Sequence, residues 1–243
     1  MTAQLRSELL KQRSTQTTLF LFLAMVGFVA LAVAMHVIAL SPSRLSTNAH
    51  QLDVFQIGTR AAMIFAGLAG VLAITAEIRF GIIRPTFLVE PRRSPVVVAK
   101  LAVGGLIGIV YGLLAEGLMA AAATIAFSVR GIPNELTGGD YARILLGGAT
   151  AGALWAILGV GVGALVRNQV ATLVGILAWM FLVESVSEGF VPGAAKLMPG
   201  GAGLSLAGNE HKLSLAVAAA LLIAYAAVAS AAGWLATLRR DVA

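Results

Sequence analysis

The chain has 243 residues, of which 59% are hydrophobic and only 12% charged, and its mean hydropathy is +0.92. Soluble domains carry roughly 25% charged residues, so this composition excludes an ordinary water-soluble domain and indicates an integral membrane protein, because an ionised group at a bilayer centre costs ~2.5–3.5 kcal/mol on insertion scales. The formal charge of +6 then marks the side of the membrane where cations collect rather than a nucleic-acid surface, and the absence of cysteine excludes a disulfide framework and Cys-based metal sites.

In chain order, the segment LRSELLKQRST (Leu5 to Thr15) precedes a first apolar run from about Thr18 to Leu40. That run is too long for a signal-peptide core and no small-residue cleavage site follows, so it is expected to stay as a span. A second runs from about Ile57 to Ala76, a third from Val96 to about Val129, and a fourth from about Ile144 to Val166. The fifth covers about Val170 to Phe190 and the sixth about Leu213 to Leu238. The expected fold is therefore all-α: one membrane domain over residues 1–243, with six spans and both termini on the same side.

Cation counting chooses that side. With the N terminus inside, the cytosolic set is Arg6, Lys11, Arg13, Arg79, Arg84, Arg92, Arg93, Lys100, Arg167, Arg239 and Arg240, eleven in all; the outer set is Arg44, Arg60, Arg130, Arg143, Lys196 and Lys212, six in all. Cytosolic loops carry the excess of cations, so both termini are expected inside. EIRFGIIRPTFLVEPRRSPVVVAK (Glu77 to Lys100) then holds the largest cytosolic loop. Arg167 to Gln169 is expected to be a tight inner turn. The Gly- and Pro-rich connection over residues 190–212 is expected to lie at the outer interface or dip into it.

Small residues recur at four-residue steps in the third span (Gly104, Gly108, Gly112, then Glu116 and Ala120) and in the fourth (Gly148, Gly152, Ala156, then Gly159 and Gly163). Such ridges let helix backbones approach closely in lipid and describe a tight bundle or dimer. Glu116 stands on the first ridge within a span, which by default suggests function; the alternative is a buried acid that only fixes helix contacts. Glu184 and Glu188, four apart, share a helix face near the outer end of the fifth span. They are either an acidic lining at an outer exit or interfacial acids reaching water. His36, His50 and His211 give no pair of metal ligands one turn apart, and Ser205 with His211 makes no helix-borne dyad. The chain holds no G-x-x-x-x-G-K-[ST] phosphate loop, so ATP-driven work needs another chain.

The loop carries a resemblance. AEIRFGIIRPTFLVEPRRSPVVVAK resembles the cytosolic loop of type-2 ATP-binding-cassette exporter permeases of bacteria, through Glu77, Arg79, Gly81, Arg84, Pro85, Leu88, Pro91, Arg92, Arg93 and Lys100. Residues 1–17 look like that family's amphipathic elbow helix. The resemblance implies a multi-pass permease of the bacterial plasma membrane that pairs as a homodimer or heterodimer and docks two ATPase subunits, which bind ATP and Mg. It also implies a short coupling helix within residues 77–95 that docks on the ATPase. Pro85 suits the first position of that helix and Pro91 its end, with Ser94-Pro95 as cap and first position of the third span. The expected activity is export of an amphipathic, drug-like or lipid substrate, with no catalytic residue or metal in this chain. Glu116, Glu184 and Glu188 are the candidates for the substrate path or gate. A non-transporting membrane protein, such as an immunity or assembly factor, is the competing reading.

Overall fold

The computed structural model describes residues 2–39, 41, 45–89, 93–208 and 213–239. Among them there are helices and no strand: α1 (Thr2–Ser14), α2 (Gln16–Ala39), α3 (Asn48–Arg79), α4 (Ile83–Val89), α5 (Arg93–Val129) and α6 (Gly138–Val166). The fifth apolar run forms α7 (Gln169–Ala178), a π turn (Trp179–Val183) and α8 (Glu184–Phe190); α9 (Pro199–Leu206) and α10 (Leu215–Arg239) follow. Six of these stretches are long and apolar enough to cross a membrane: Gln16–His36, Asn48–Arg79, Arg93–Val129, Gly138–Val166, Gln169–Phe190 and Leu215–Arg239. The chain is thus a multi-pass helical membrane protein.

The core is the triangle of α3, α5 and α6, and the glycine ridges explain it. A methyl group added at Gly108 would overlap the carbonyl of Gly152, and one at Gly112 would overlap that of Gly148. The two ridges therefore face each other inside one chain, as interhelical close packing requires. Gly161 and Gly233 make the same close approach between α6 and α10. α2 packs at the periphery, where Leu19, Phe20, Leu23 and Leu31 remain exposed, as side chains facing lipid should. Tyr111 fastens α2 to α5 by donating to the Thr18 carbonyl at 3.0 Å.

Polar contacts sort the connections into two ends. At one end, here called the near end, Arg93 Nη1 donates to the Thr237 carbonyl at 2.8 Å and Lys11 Nζ reaches Glu77 at 2.8 Å. This gathers α1, the loop after α3 and the last turn of α10. The turn between α6 and α7 lies there too, closed by Arg167 in the left-handed region (φ 58°) and by Asn168, whose side chain accepts from the Ala171 N–H. At the far end, Gln51 donates to the carbonyls of Leu45 (2.9 Å) and Pro133 (2.8 Å) and accepts from the Glu135 N–H (3.0 Å).

Three expectations shift in register. The second span starts nine residues before Ile57, at Asn48, because Leu52, Val54, Phe55 and the amide of Gln51 bury one face of an otherwise polar stretch. α4 begins at Ile83, which makes Pro85 its third residue rather than its first. An N–H at that position would find no intrahelical acceptor, so proline's lack of one costs the helix no hydrogen bond. α5 begins at Arg93, so Ser94 and Pro95 lie within its first turn rather than capping it. Pro91 and Arg92 lie outside the described residues.

The connection after the fifth span turns inward. Every residue of α9 is buried, packed among α3, α6 and α10. Trp155 of α6 donates its indole N–H to the Pro199 carbonyl at 3.3 Å, and Ser205 donates to Gly201 O within α9 at 2.8 Å. This is a short re-entrant helix shielded by protein, the setting in which non-spanning backbone is tolerated at membrane depth.

Candidate functional site

Three polar constellations stand in this oily frame. The first is at the near end. Lys100, 1% exposed, donates to Glu8 Oε2 (2.8 Å), to Glu77 Oε1 (2.8 Å) and to the Ala73 carbonyl (3.0 Å). Lys11 bridges the same acids, to Glu8 Oε1 and Glu77 Oε1, each at 2.8 Å. Two acids and two cations thus alternate and tie α1 to α3 and α5. Burial works against the charge on Lys11, but its hydrogen bonds to Glu77 and Glu8 prevail and hold its ammonium above the usual 10.5. α1 accordingly docks through ions: Glu8 is buried while Leu10 is exposed. That differs from an apolar amphipathic stripe, because the groove it meets offers the ammonium of Lys100.

Glu77 is therefore turned inward. The residues after it turn outward. Gly81 takes φ 71° with open space around it, which lets the chain leave α3 sharply. Arg79 lies over the Phe80 ring at 5.5 Å and donates to Gln169 at 3.4 Å. Phe80, Ile82 and Leu88 are 67%, 48% and 82% exposed, and Pro85 is exposed beside them. Arg93 ties the far side of the segment to α10. The side chain of Arg84 lies outside the described residues.

The second constellation surrounds Glu116. It is fully buried, accepts from the Thr59 hydroxyl, and has no partner for Oε2. Gly58 of α3 and Gly148 of α6 flank it so tightly that a methyl at either position would strike its side chain. The glycines form its socket. Glu116 lies 16 residues from Lys100, about 24 Å along α5, and so towards the far end.

The third is a cavity of about 410 Å³ at the far end, walled by Arg60 and Met63 of α3, Met180 and Glu184 after α7, and Lys196 and Leu204 of the re-entrant segment. The π turn immediately precedes Glu184. Such turns insert a residue into the helical register, which re-aims the side chains after it. Glu184 accepts from the Gly200 N–H at 2.8 Å, at the start of α9. Glu188 accepts from Gly193 and Ala195 N–H at 2.9 and 3.0 Å. Both acids therefore hold the re-entrant segment in place.

The structure does not bring Glu116 into this cavity with Glu184 and Glu188. The sequence gives Arg60 and Lys196 a place only among the outer cations, and it gives Glu8 and Thr59 no role. Four charges flanking apolar runs were the available signal for the first constellation, and the pair Gly58-Thr59 the faint one for the second. Among the described residues, no group of three or more His, Cys, Asp or Glu is placed to hold a metal. No family model matches the chain, and no curated protein matches it.

Proposed function

We propose that this chain is the membrane-spanning permease subunit of an ATP-driven exporter of the bacterial plasma membrane, moving an amphipathic or lipid-like compound outward. In this reading two separately encoded ATPase subunits supply the ATP and Mg chemistry, and the permease pairs with a second copy or a related chain. The observation that carries the reading is the near-end segment after α3. α4 is short, bears Pro85 and exposes Leu88, the turn before it exposes Phe80 and Ile82, and Glu77 and Arg93 root the two sides of the segment in the bundle. An apolar patch outside the spanning runs, held by rigid attachments, suits a protein partner that pushes on it. α1 takes the role of the elbow helix, and the near end becomes the cytosolic face on cation count.

The test is co-purification of the chain with an ATPase encoded beside it. Wild type should bring down the ATPase and stimulate its turnover. Leu88→Asp with Phe80→Asp, and separately charge reversal at Arg84 and Arg92, should lose the complex while leaving the permease folded; Arg93 is kept because it ties the segment to α10. If no ATPase is recovered with wild type, the exporter reading fails and the non-transporting reading takes its place.

A further inference from the structure

The far-end cavity carries balanced formal charge, but its acids and its cations differ in what they already hold. Two carboxylates and two cations line it, but their hydrogen-bonding capacity is spent unequally. Glu184 and Glu188 between them accept three backbone N–H groups of residues 193–200. Arg60 and Lys196 are exposed, and neither has a hydrogen bond or an ion pair within 4.0 Å among the described residues, although Arg60 attracts the Glu184 carboxylate at longer range. A guanidinium offers five N–H donors in a planar fork and an ammonium three. Arg geometry matches a phosphate bidentately.

We infer that the cavity binds the anionic headgroup of an amphiphile, a phosphate gripped by Arg60 and Lys196. The other walls fit the rest of such a molecule: Met63, Met180 and Leu204 offer an apolar lining and Ser185 a hydroxyl. Phe181, Leu182 and Phe190 are exposed on the same helical run that supplies Met180, Glu184 and Glu188, so that run offers apolar surface for an acyl chain while the headgroup stays in the cavity. The selectivity for an anion rests on the N–H donors of Arg60 and Lys196, which no acceptor among the described residues takes up, whereas both acids already hold backbone N–H groups. The inference is independent of the exporter reading, since it needs no ATPase at the near end.

The full chain, purified in a neutral detergent, is titrated with short-chain phosphatidylglycerol, phosphatidylcholine and inorganic phosphate, and bound ligand is counted by native mass spectrometry. Phosphatidylglycerol should bind at least tenfold more tightly than phosphatidylcholine, weaken severalfold between 50 and 300 mM salt, and lose tenfold or more in R60Q/K196Q. Arg60→Lys, which keeps the charge but loses the fork, should bind several-fold more weakly than wild type yet clearly more tightly than R60Q/K196Q, and circular dichroism of each variant checks that it is folded. Competition by inorganic phosphate at millimolar concentration would identify a free oxyanion as a sufficient ligand. Its failure to compete would assign the site to lipid. Equal binding of the two lipids, unchanged binding by R60Q/K196Q, or tighter binding of dodecyltrimethylammonium would overturn the inference.

Discussion

Replacing Lys100 by Met tests whether ions hold α1 on the bundle. The substitution keeps the length of the side chain and removes the ammonium from between Glu8 and Glu77. Lys100 has a side-chain exposure of 1%, against 33% for Lys11, and that contrast sets the magnitudes. Removing one partner of a buried ion pair leaves an uncompensated charge and costs about 3–5 kcal/mol. An exposed pair is worth about 0.2–1 kcal/mol because water and salt screen it. Lys100→Met should therefore destabilise the fold by about 3–5 kcal/mol and release α1, whereas Lys11→Met should cost about 1 kcal/mol or less. The chain has no cysteine, so a spin label on a single Ser14→Cys reports α1 directly, alongside reversible unfolding in detergent. Adding Glu8→Gln and Glu77→Gln to Lys100→Met removes the orphaned charges and should recover at least half of the loss. If Lys11→Met costs as much as Lys100→Met, or if Lys100→Met leaves the label immobile, the clamp is not the anchor of α1.

The remaining predictions concern the same three constellations. The folded pKa of Lys11 is raised, so its contribution is complete below the unfolded value of 10.5 and is lost as pH rises through the folded value. Stability should therefore be flat in this respect from pH 6 to 9 and fall by about 1 kcal/mol or less above about 10.5, with the Ser14 label still immobile, and a Lys11→Met variant should lack that fall. On α5, Gly108→Ala should cost about 1–3 kcal/mol because its methyl meets the Gly152 backbone. Gly117→Ala, with nothing within 4 Å, should be neutral or slightly stabilising by helix propensity; equal effects in an unfolding titration would refute the ridge pairing. Glu116→Gln should preserve assembly, since the amide oxygen still accepts from Thr59, and should alter export in vesicles. Unchanged export would make Glu116 a packing residue only. Glu188→Gln should weaken the hold on the Gly193 and Ala195 amides by about 1 kcal/mol and raise hydrogen exchange over residues 191–198; unchanged protection there would show that the loop holds itself.

What the sequence showed and what it hid follow from the range of the forces involved. Spans were legible because hydropathy is summed over about twenty residues and tolerates local error. The ridges of α5 and α6 were legible because close packing in lipid needs small residues at a helical period. The start of α3 was not legible. Asn48 to Gln56 is too polar to register as a span, and its helix is stabilised by what one face meets, including three hydrogen bonds on the single amide of Gln51. The clamp at Lys100 was hidden for the same reason: Glu8 and Lys100 are 92 residues apart, and no pattern along the chain pairs them.

The far-end acids show how far such hidden pairing changes chemistry. Glu184 and Glu188 share a helix face, so the sequence shows either an acidic lining at an outer exit or interfacial acids reaching water. A carboxylate, however, has a fixed number of lone pairs, and each backbone N–H it accepts is one fewer for a ligand. The loop places the N–H groups of Gly193, Ala195 and Gly200 against these oxygens. The donors left unspent belong to Arg60 on α3 and Lys196 on the loop itself, which nothing local in the sequence connects to the acids. Which groups of a polar cavity can still bond a ligand thus depends on which ones the backbone has already claimed, and R60Q/K196Q measures that directly.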